Sequence, residues 1–394
     1  MSGATMRAGL RSTGGVFGLA LVLALVAASP RQAAAGTVTV VIGAVGGATG
    51  PRGPVGQDHN NGVILAAEDL NRSGLRIGAD QVMWKVQAED DQGDPKQAAT
   101  VALKLIDAKV SGVVGHDTSG ASYAAQRLYA AAGIPMVVGA ATGTRLAQLG
   151  SNLFFRVIPD DAAAAEALAR YASQELHARS VATIDDRTAF GQGLSDAFAR
   201  AARARGMQVL AREYTHDKAF DFSAVLTRLR GMKPDLILFG GVAPQAAPLL
   251  RQFDQLQLRG VVLGGDGACV RNLPRLAGSA VRHIVCADGG EALQGAPQGA
   301  AWRKRYDQRF GADAFQAYSP YAYDATMILA QAMVRAASSD PARYLPYLRN
   351  TDYDGITRKH IRFQPDGNLA NPDIVISVYR DGSKQVLRDA STTQ

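Results

Sequence analysis

Residues 110–142 constrain the fold more than any other part of this sequence. Within them, residues 110–115 and 134–138 are short apolar runs rich in β-branched side chains, which is typical of buried parallel strands. A helical pattern lies between the two runs and continues to Leu128, and Gly133 can end it in a left-handed conformation. Strand, helix and strand in this order predict one βαβ unit of a parallel sheet.

A loop of small residues follows each of these two strands, at residues 116–120 and 139–144. Because both loops leave the carboxyl ends of neighbouring parallel strands, backbone N–H groups and a helix N-terminus should converge between them. Ser119, Ala140 and Thr142 offer hydroxyl and carbonyl groups with little bulk around them. The sequence therefore predicts one wall of a small-molecule site, although Ser119 also suits a helix cap.

Residues 1–35 have the pattern of a secretory signal peptide. Arg7 and Arg11 precede an apolar run at residues 16–28, and small residues at 33–35 suit a cleavage site. The apolar run is short for a membrane span, which makes an uncleaved anchor the weaker alternative. The cleavage region has no cysteine, the acceptor that a lipid-anchored signal needs. We expect a soluble exported protein.

Charge and composition exclude several classes of function. Cleavage would leave 359 residues, which suits two domains, and would lower the formal charge from +7 to +4. Lysine and arginine do not cluster with interleaved aromatic residues, so the sequence predicts no nucleic-acid binding. Histidine and cysteine do not occur at metal-ligand spacing, and we expect no metal site.

The two cysteines of the chain, Cys269 and Cys286, would both remain after cleavage. In an oxidising compartment, cysteines so close in sequence can form a disulfide. Two buried free thiols are an equal alternative, because spacing does not give the distance between the Cα atoms.

Strands and helices alternate along the rest of the chain, and the alternation begins afresh after Pro159. In the first half, the sequence predicts strands at 37–44 and 83–88, with helices at 57–71 and 96–109. In the second half, it predicts strands at 180–184, 208–214, 236–239 and 261–264, with helices at 162–175, 193–205, 222–232 and 244–256. Two further helices, at 302–310 and 321–337, precede a β-rich end at 373–379. The pattern predicts two doubly wound α/β units that form the lobes of one clamp.

Two other interpretations are disfavoured. The glycines at positions 43, 46, 47 and 50 lack the G-x-G-x-x-G spacing of a dinucleotide site. His116, Asp117 and Ser119 are suggestive of a hydrolase, but residues on one tight loop rarely reach the geometry of a catalytic triad. Ser119 also lacks the G-x-S-x-G elbow. We expect no enzyme.

Several short motifs, in this order and spacing, resemble the periplasmic branched-chain amino-acid binding proteins of ABC transporters, the leucine/isoleucine/valine type. The resemblance covers nearly all of the chain after residue 35. The motifs are G-x-x-x-G-P at 46–51, AAEDLNRSG at 66–74, EDDQGDPKQAA at 89–99, G-H-x-x-S at 115–119, GIPMVVGAAT at 133–142, D-x-x-x-F-G-Q-G at 186–193, FGG at 239–241, GGDG at 264–267 and YAYDA at 321–325.

The resemblance implies a type I periplasmic binding protein fold, in which two parallel-sheet lobes are joined by three crossovers around a ligand cleft. We expect lobe 1 to comprise residues 36–157 and 290–370, and lobe 2 residues 158–289 and 371–390. A glycine-rich stretch at 289–297 would be the second crossing.

The resemblance also implies roles in the binding of an amino acid. Ser119 would bind the ligand carboxylate, and Thr142 would contact both carboxylate and ammonium. The Ala140 carbonyl would accept from the ammonium, Asp266 would supply the counter-charge, and Ala141 would lie beside them. Asp266 taken alone would more often be a turn or cap residue.

Four positions depart from the pattern of the family. Val55 and Val242 occupy positions that are usually aromatic, and Phe190 replaces a frequent tyrosine. Aspartate at position 266 is one methylene shorter than the usual glutamate. The resemblance thus implies a pocket that is roomier or less polar than usual.

A function follows from these expectations. The chain would be a monomeric periplasmic protein that captures an amino acid or a related molecule by lobe closure and delivers it to a membrane ABC permease. A sensor of the same fold for amides or aromatic acids, signalling through a receptor, is the alternative.

Overall fold

The computed structural model describes residues 36–289, 293 and 297–389. The predicted signal peptide and most of the predicted crossing at 289–297 lie outside these residues. Within the described residues, no helix has both the length and the apolar character needed to span a membrane.

The strands form two sheets, and their bounds are as follows: β1 (Thr37–Gly46), β2 (Arg76–Ile77), β3 (Asp80–Asp90), β4 (Gly112–Gly115), β5 (Met136–Val138), β6 (Phe154–Arg156), β7 (Ser180–Asp185), β8 (Gln208–Tyr214), β9 (Leu236–Gly240), β10 (Val261–Gly264), β11 (Ile284–Gly289), β12 (Ile374–Arg380) and β13 (Ser383–Asp389). The first sheet has the order β2-β3-β1-β4-β5-β6, and the second has the order β13-β12-β11-β10-β9-β7-β8. Pairing is parallel except at β2, β12 and β13, which are antiparallel to their neighbours.

The helices connect and cover these strands, with the following bounds: α1 (Gly53–Ser73), α2 (Pro95–Asp107), α3 (Ser119–Ala131), α4 (Arg145–Gln148), α5 (Asp161–Gln174), α6 (Ala189–Ala204), α7 (Ser223–Met232), α8 (Ala243–Gln255), α9 (Leu273–Ala277), α10 (Pro297–Phe310), α11 (Ser319–Arg335) and α12 (Pro341–Arg349). Apolar clusters fill both faces of each sheet. The predicted α/β fold with two parallel-dominated sheets is confirmed.

Local signals in the sequence account for several helix ends. Asp94 caps α2, because its carboxylate accepts the N–H groups of Lys96 at 2.7 Å and Gln97 at 3.0 Å. Gly133 follows α3 with φ of 73°, the left-handed conformation that the sequence predicts. Thr118 caps α3 by accepting from the Ala121 N–H, so the alternative role of Ser119 as the cap is wrong.

The chain passes between the two sheets after β6, after β11 and before β12. Helices α11 and α12 return to the first sheet, where Leu329 and Tyr344 join its apolar cluster. The exact lobe boundaries in the sequence stay a prediction.

A disulfide joins Cys269, in the loop after β10, to Cys286 on β11, with 6.0 Å between their Cα atoms. The alternative of two free thiols is therefore wrong. The bond links neighbouring segments of the second sheet close to the loop that contains Asp266.

Candidate functional site

Two loops of the first sheet meet through Ser119. Ser119 is the first residue of α3, directly after β4, and it is buried. Its hydroxyl accepts the backbone N–H of Gly143 at 3.0 Å, which ties the loop at 116–120 to the loop at 139–144. The structure therefore brings Ser119 beside the segment that contains Ala140, Ala141 and Thr142, all of them buried.

Arg156 is a buried residue at the end of β6 and forms hydrogen bonds with the loop at 139–144. Its guanidinium donates to the carbonyls of Gly143 at 3.0 Å and Ala141 at 3.4 Å. These hydrogen bonds restrict the movement of the loop. The groups around Thr142 are therefore held in place before a ligand binds.

Asp161 lies next to Thr142, and sequence analysis overlooked it. Its backbone N–H donates to the Thr142 carbonyl at 2.9 Å. Its side chain is buried, and one carboxylate oxygen has no hydrogen-bond partner among the described residues. Burial, followed by the nearby charge of Asp266, raises the pKa of Asp161 to about 8.

Asp266 approaches from the second sheet, in the loop directly after β10. Its carboxylate accepts the Tyr318 hydroxyl at 2.8 Å, and burial raises the pKa of Asp266 to about 6. Tyr318 is itself held in place, because the buried carboxylate of Asp58 accepts the Tyr318 backbone N–H at 2.8 Å. The Asp266 carboxylate therefore accepts from a hydroxyl that is itself held in place. An aspartate that only forms a turn does not require such a partner.

Phe190 and Val242 form an apolar wall around Gly267, the residue that follows Asp266. A Cβ atom at Gly267 would lie 2.9 Å from Phe190 Cε1 and 3.3 Å from Val242 Cγ1. Only glycine fits between these side chains without displacing them. Val55, at the start of α1, is buried in the apolar cluster that also contains Ala140 and residues of the second sheet.

The space bounded by the loops at 116–120, 139–144 and 265–267 is called the cleft below. The first turns of α3 and α6 approach each other at its edge, where a Cβ atom at Gly120 would lie 4.0 Å from the Ala189 Cβ. The two carboxylates of Asp161 and Asp266 are close enough to influence each other electrostatically. Elements from both sheets thus contribute polar groups to one region.

The residues that suggested a hydrolase are engaged in other contacts. Both ring nitrogens of His116 have buried partners, Asp91 at 2.5 Å and the Tyr129 hydroxyl at 3.1 Å. The Asp117 carboxylate accepts the Gly47 N–H at 3.0 Å and lies 3.3 Å from Arg52.

A zwitterion fits the chemistry of the cleft. A carboxylate can accept from the Ser119 hydroxyl and from N–H groups at the start of α3. An ammonium group needs acceptors, which the Ala140 carbonyl, Thr142 and the two aspartates supply. Among the described residues, no group of three or more His, Cys, Asp or Glu side chains is arranged to hold a metal ion.

Asp161 and Tyr318 escaped the sequence analysis for different reasons. Asp160 and Asp161 are consecutive at a helix start, where one aspartate suffices as the cap, and Asp160 takes that role by accepting from Ala163. The presence of a second aspartate, beyond the one needed for the cap, was the signal that could have pointed to Asp161. Tyr318 lies just before the YAYDA motif, but nothing local connects it to Asp266.

Comparisons with known proteins agree with this arrangement. Residues 39–383 match the family model described as periplasmic binding protein. An amino acid binding protein of Pseudomonas aeruginosa is 30% identical over 348 residues, which cover 88% of this chain and 91% of that protein. A Leu/Ile/Val-binding protein of Rhizobium johnstonii, BraC3, is 29% identical over 77% of this chain and 81% of its own length.

Solved structures give the same fold. The leucine binding protein LivK of Thermotoga maritima superposes with a TM-score of 0.81 and 27% identity, over 89% of this chain and 98% of that one. The branched-chain amino acid binding protein LivJ of Streptococcus pneumoniae, solved with isoleucine, has a TM-score of 0.78 at 24% identity, over 89% and 99% of the two chains. The type I fold and the resemblance to the leucine/isoleucine/valine type are confirmed, and this chain belongs to the periplasmic binding protein family.

Proposed function

We propose that this chain is an extracytoplasmic solute-binding protein that captures an α-amino acid in the cleft and delivers it to a membrane ABC permease. One observation carries the proposal. The Ser119–Gly143 junction of the first sheet lies in the same region as two carboxylates, the buried Asp161 and the half-buried Asp266. Two acids held close together and largely out of water are unfavourable, and a ligand ammonium would relieve this.

The backbone and side-chain groups divide between the two charges of such a ligand. Ser119 and the N–H groups at the start of α3 bind the carboxylate. The Ala140 carbonyl, Thr142 and Asp266 bind the ammonium, with Asp161 as a further acceptor. Every charge of the zwitterion then has a directed partner when it leaves water.

The side chain of the ligand contacts the apolar wall. Phe190 and Val242 lie around Gly267, the residue after Asp266, and Val55 is buried at the start of α1. Valine at two of these positions leaves more volume than an aromatic residue would. An amino acid with an apolar side chain suits this wall, which agrees with the ligands named for the similar Leu/Ile/Val-binding proteins.

The remaining parts of the proposal rest on the family. The protein acts in the periplasm as a monomer, reaches it by the predicted signal peptide, and has no catalytic role. The contacts of His116 with Asp91 and Tyr129 support the last point, because the imidazole has no free nitrogen to serve as a base for Ser119. A sensor of amides or aromatic acids on the same fold is not favoured by any observation.

A thermal-melt screen of the ligand-free protein tests the proposal. The panel contains branched, aromatic and acidic amino acids, short amides and aromatic carboxylates. A true ligand at about 100 times its dissociation constant stabilises the folded state by roughly 2.7 kcal/mol and raises the melting temperature. If only compounds other than amino acids raise the melting temperature, the assigned fold stands but the proposed α-amino acid ligand is contradicted.

The variant Asp266→Asn then tests the ammonium site. Removal of one partner of a buried charge pair is expected to weaken binding of the identified amino acid by about 2–5 kcal/mol in a calorimetric titration. Asp221→Asn is the matched control, because Asp221 is an exposed residue of the second half of the chain that caps the turn at Ser223. Equal affinity in Asp266→Asn and the unchanged protein would disprove the assignment.

A further inference from the structure

A cavity of about 1030 Å³ lies beside the chain crossings, outside the amino-acid cleft. Its walls are α10, the segment 315–321, the end of β11 and the hairpin of β12 and β13. Asp266 and Tyr318 border it, but Ser119, Thr142, Phe190 and Val242 do not line it. The cavity thus has a lining of its own and shares Asp266 with the cleft.

We propose that this cavity is a second binding site, for a small carboxylate that has an apolar or aromatic body. The proposal depends on the cations of the cavity and on its aromatic lining. Neither feature has a role in the proposed binding of an amino acid in the cleft.

Four cations and three carboxylates line the cavity, so its charge balance favours an anion. Arg303 is paired with Asp307 at 2.8 Å, and Lys384 is paired with Asp288. Arg271 and Lys304 also line the cavity, and in the described part of the chain neither has an acidic partner. Two cations on different elements therefore remain available to one carboxylate.

The lining suits the apolar body of such a molecule. The Phe315 ring has the Arg303 guanidinium 3.9 Å from its centroid and the Arg271 guanidinium at 6.0 Å. Val375 and Tyr379 of β12 also line the cavity. A planar ring can pack against these apolar and aromatic side chains while its carboxylate binds Arg271.

The test is a fluorine NMR titration of the full chain with 4-fluorobenzoate. We expect saturable line broadening with the carboxylate and none with 4-fluorobenzamide, its neutral analogue. Arg271→Gln and Lys304→Gln should each weaken 4-fluorobenzoate binding about tenfold through the loss of a charged partner. Lys304 lies on α10, apart from Arg271 in the segment between β10 and α9. The Lys304 variant therefore still tests the proposal if Arg271→Gln does not fold.

Two controls separate the cavity from other sites. Arg275→Gln removes an exposed arginine of α9 that does not line the cavity, and Ser119→Ala alters the cleft. Both variants should bind 4-fluorobenzoate like the unchanged protein. Absence of broadening, equal binding of the amide, or a loss in Ser119→Ala without a loss in Arg271→Gln would overturn the proposal.

Discussion

Asp161 is a buried acid whose ionisation opposes folding. In the unfolded chain its pKa is close to 3.8, and in the folded protein burial and the charge of Asp266 raise the pKa to about 8. Between these values the folded state binds the proton more tightly than the unfolded state. The stability that protonated Asp161 contributes is therefore complete below about pH 4 and lost as the pH rises to about 8.

Asp161→Asn should remove this part of the pH dependence. We expect the ligand-free variant to melt higher than the unchanged protein at pH 8, with a difference that shrinks toward pH 5. Thermal melts across this range measure the effect. Asp266 and Asp324, each with a pKa raised to about 6, keep a pH dependence of stability below about pH 6 in both proteins.

Asp107→Asn is the control for this series, because Asp107 is exposed at the last residue of α2. It should follow the unchanged protein at every pH. Identical slopes for Asp161→Asn and Asp107→Asn would show that Asp161 is ionised in the folded state across the whole range.

A site residue can be predicted from the sequence when its neighbours in the chain indicate its role. Ser119 and Thr142 could be proposed from residue types and loop positions after two strands. Asp266 required the resemblance to a family, since aspartate beside glycine is usually a turn residue. The contact between Asp266 and Tyr318 joins residues far apart in sequence, and it exists only because Asp58 of α1 positions Tyr318.

Helices α1 and α11 pack unusually closely at Gly62. A Cβ atom at Gly62 would lie 2.1 Å from the carbonyl oxygen of Ser319, at the first residue of α11. The same segment donates the backbone N–H of Tyr318 to Asp58. The small residue thus allows the contact between helices that holds Tyr318 near the cleft.

Gly62→Ala should destabilise the protein by about 1–3 kcal/mol, the usual cost of overpacking a well-packed interface. Urea unfolding of the ligand-free protein measures this change. Gly231→Ala is the matched control within α7, because a Cβ atom there meets no atom within 4 Å. That substitution should be neutral or slightly stabilising, and equal losses in both variants would contradict the packing argument.

Elements with several turns or with a clear apolar run could be predicted, and several elements without such a signal could not. The sequence analysis overlooked β2, β6, α4, α9 and α12, each too short or too irregular to show a clear period. It also overlooked β11 and β13. The last strand is an edge strand with exposed residues at 383–387, which have little of the alternation that marks a half-buried strand.

At the scale of the molecule, the two sheets approach each other where α3 and α6 begin. Ala189 is the first residue of α6, and the Gly120 position of α3 faces it. Under the proposed function, a ligand that contacts both sides binds the closed arrangement best and shifts the population toward it. Bulk at this contact should therefore oppose closure.

Ala189→Trp is expected to weaken amino-acid binding at least about tenfold, because the variant disfavours the closed state. Small-angle scattering should show contraction on ligand addition in the unchanged protein and less in the variant. Arg200→Trp, at an exposed position of the same helix, should behave like the unchanged protein. Full contraction and affinity in Ala189→Trp would contradict this account of closure.

The antiparallel pairing of β11 with β12 has a consequence for biosynthesis. The register joins Gly289 to Ile374, and α10, α11 and α12 lie between these residues in the chain. A ribosome therefore releases β7 to β11 well before it translates their final neighbours, and the edge of β11 has no partner in the meantime. The nascent polypeptide therefore cannot complete its second sheet until its last strands emerge from the ribosome.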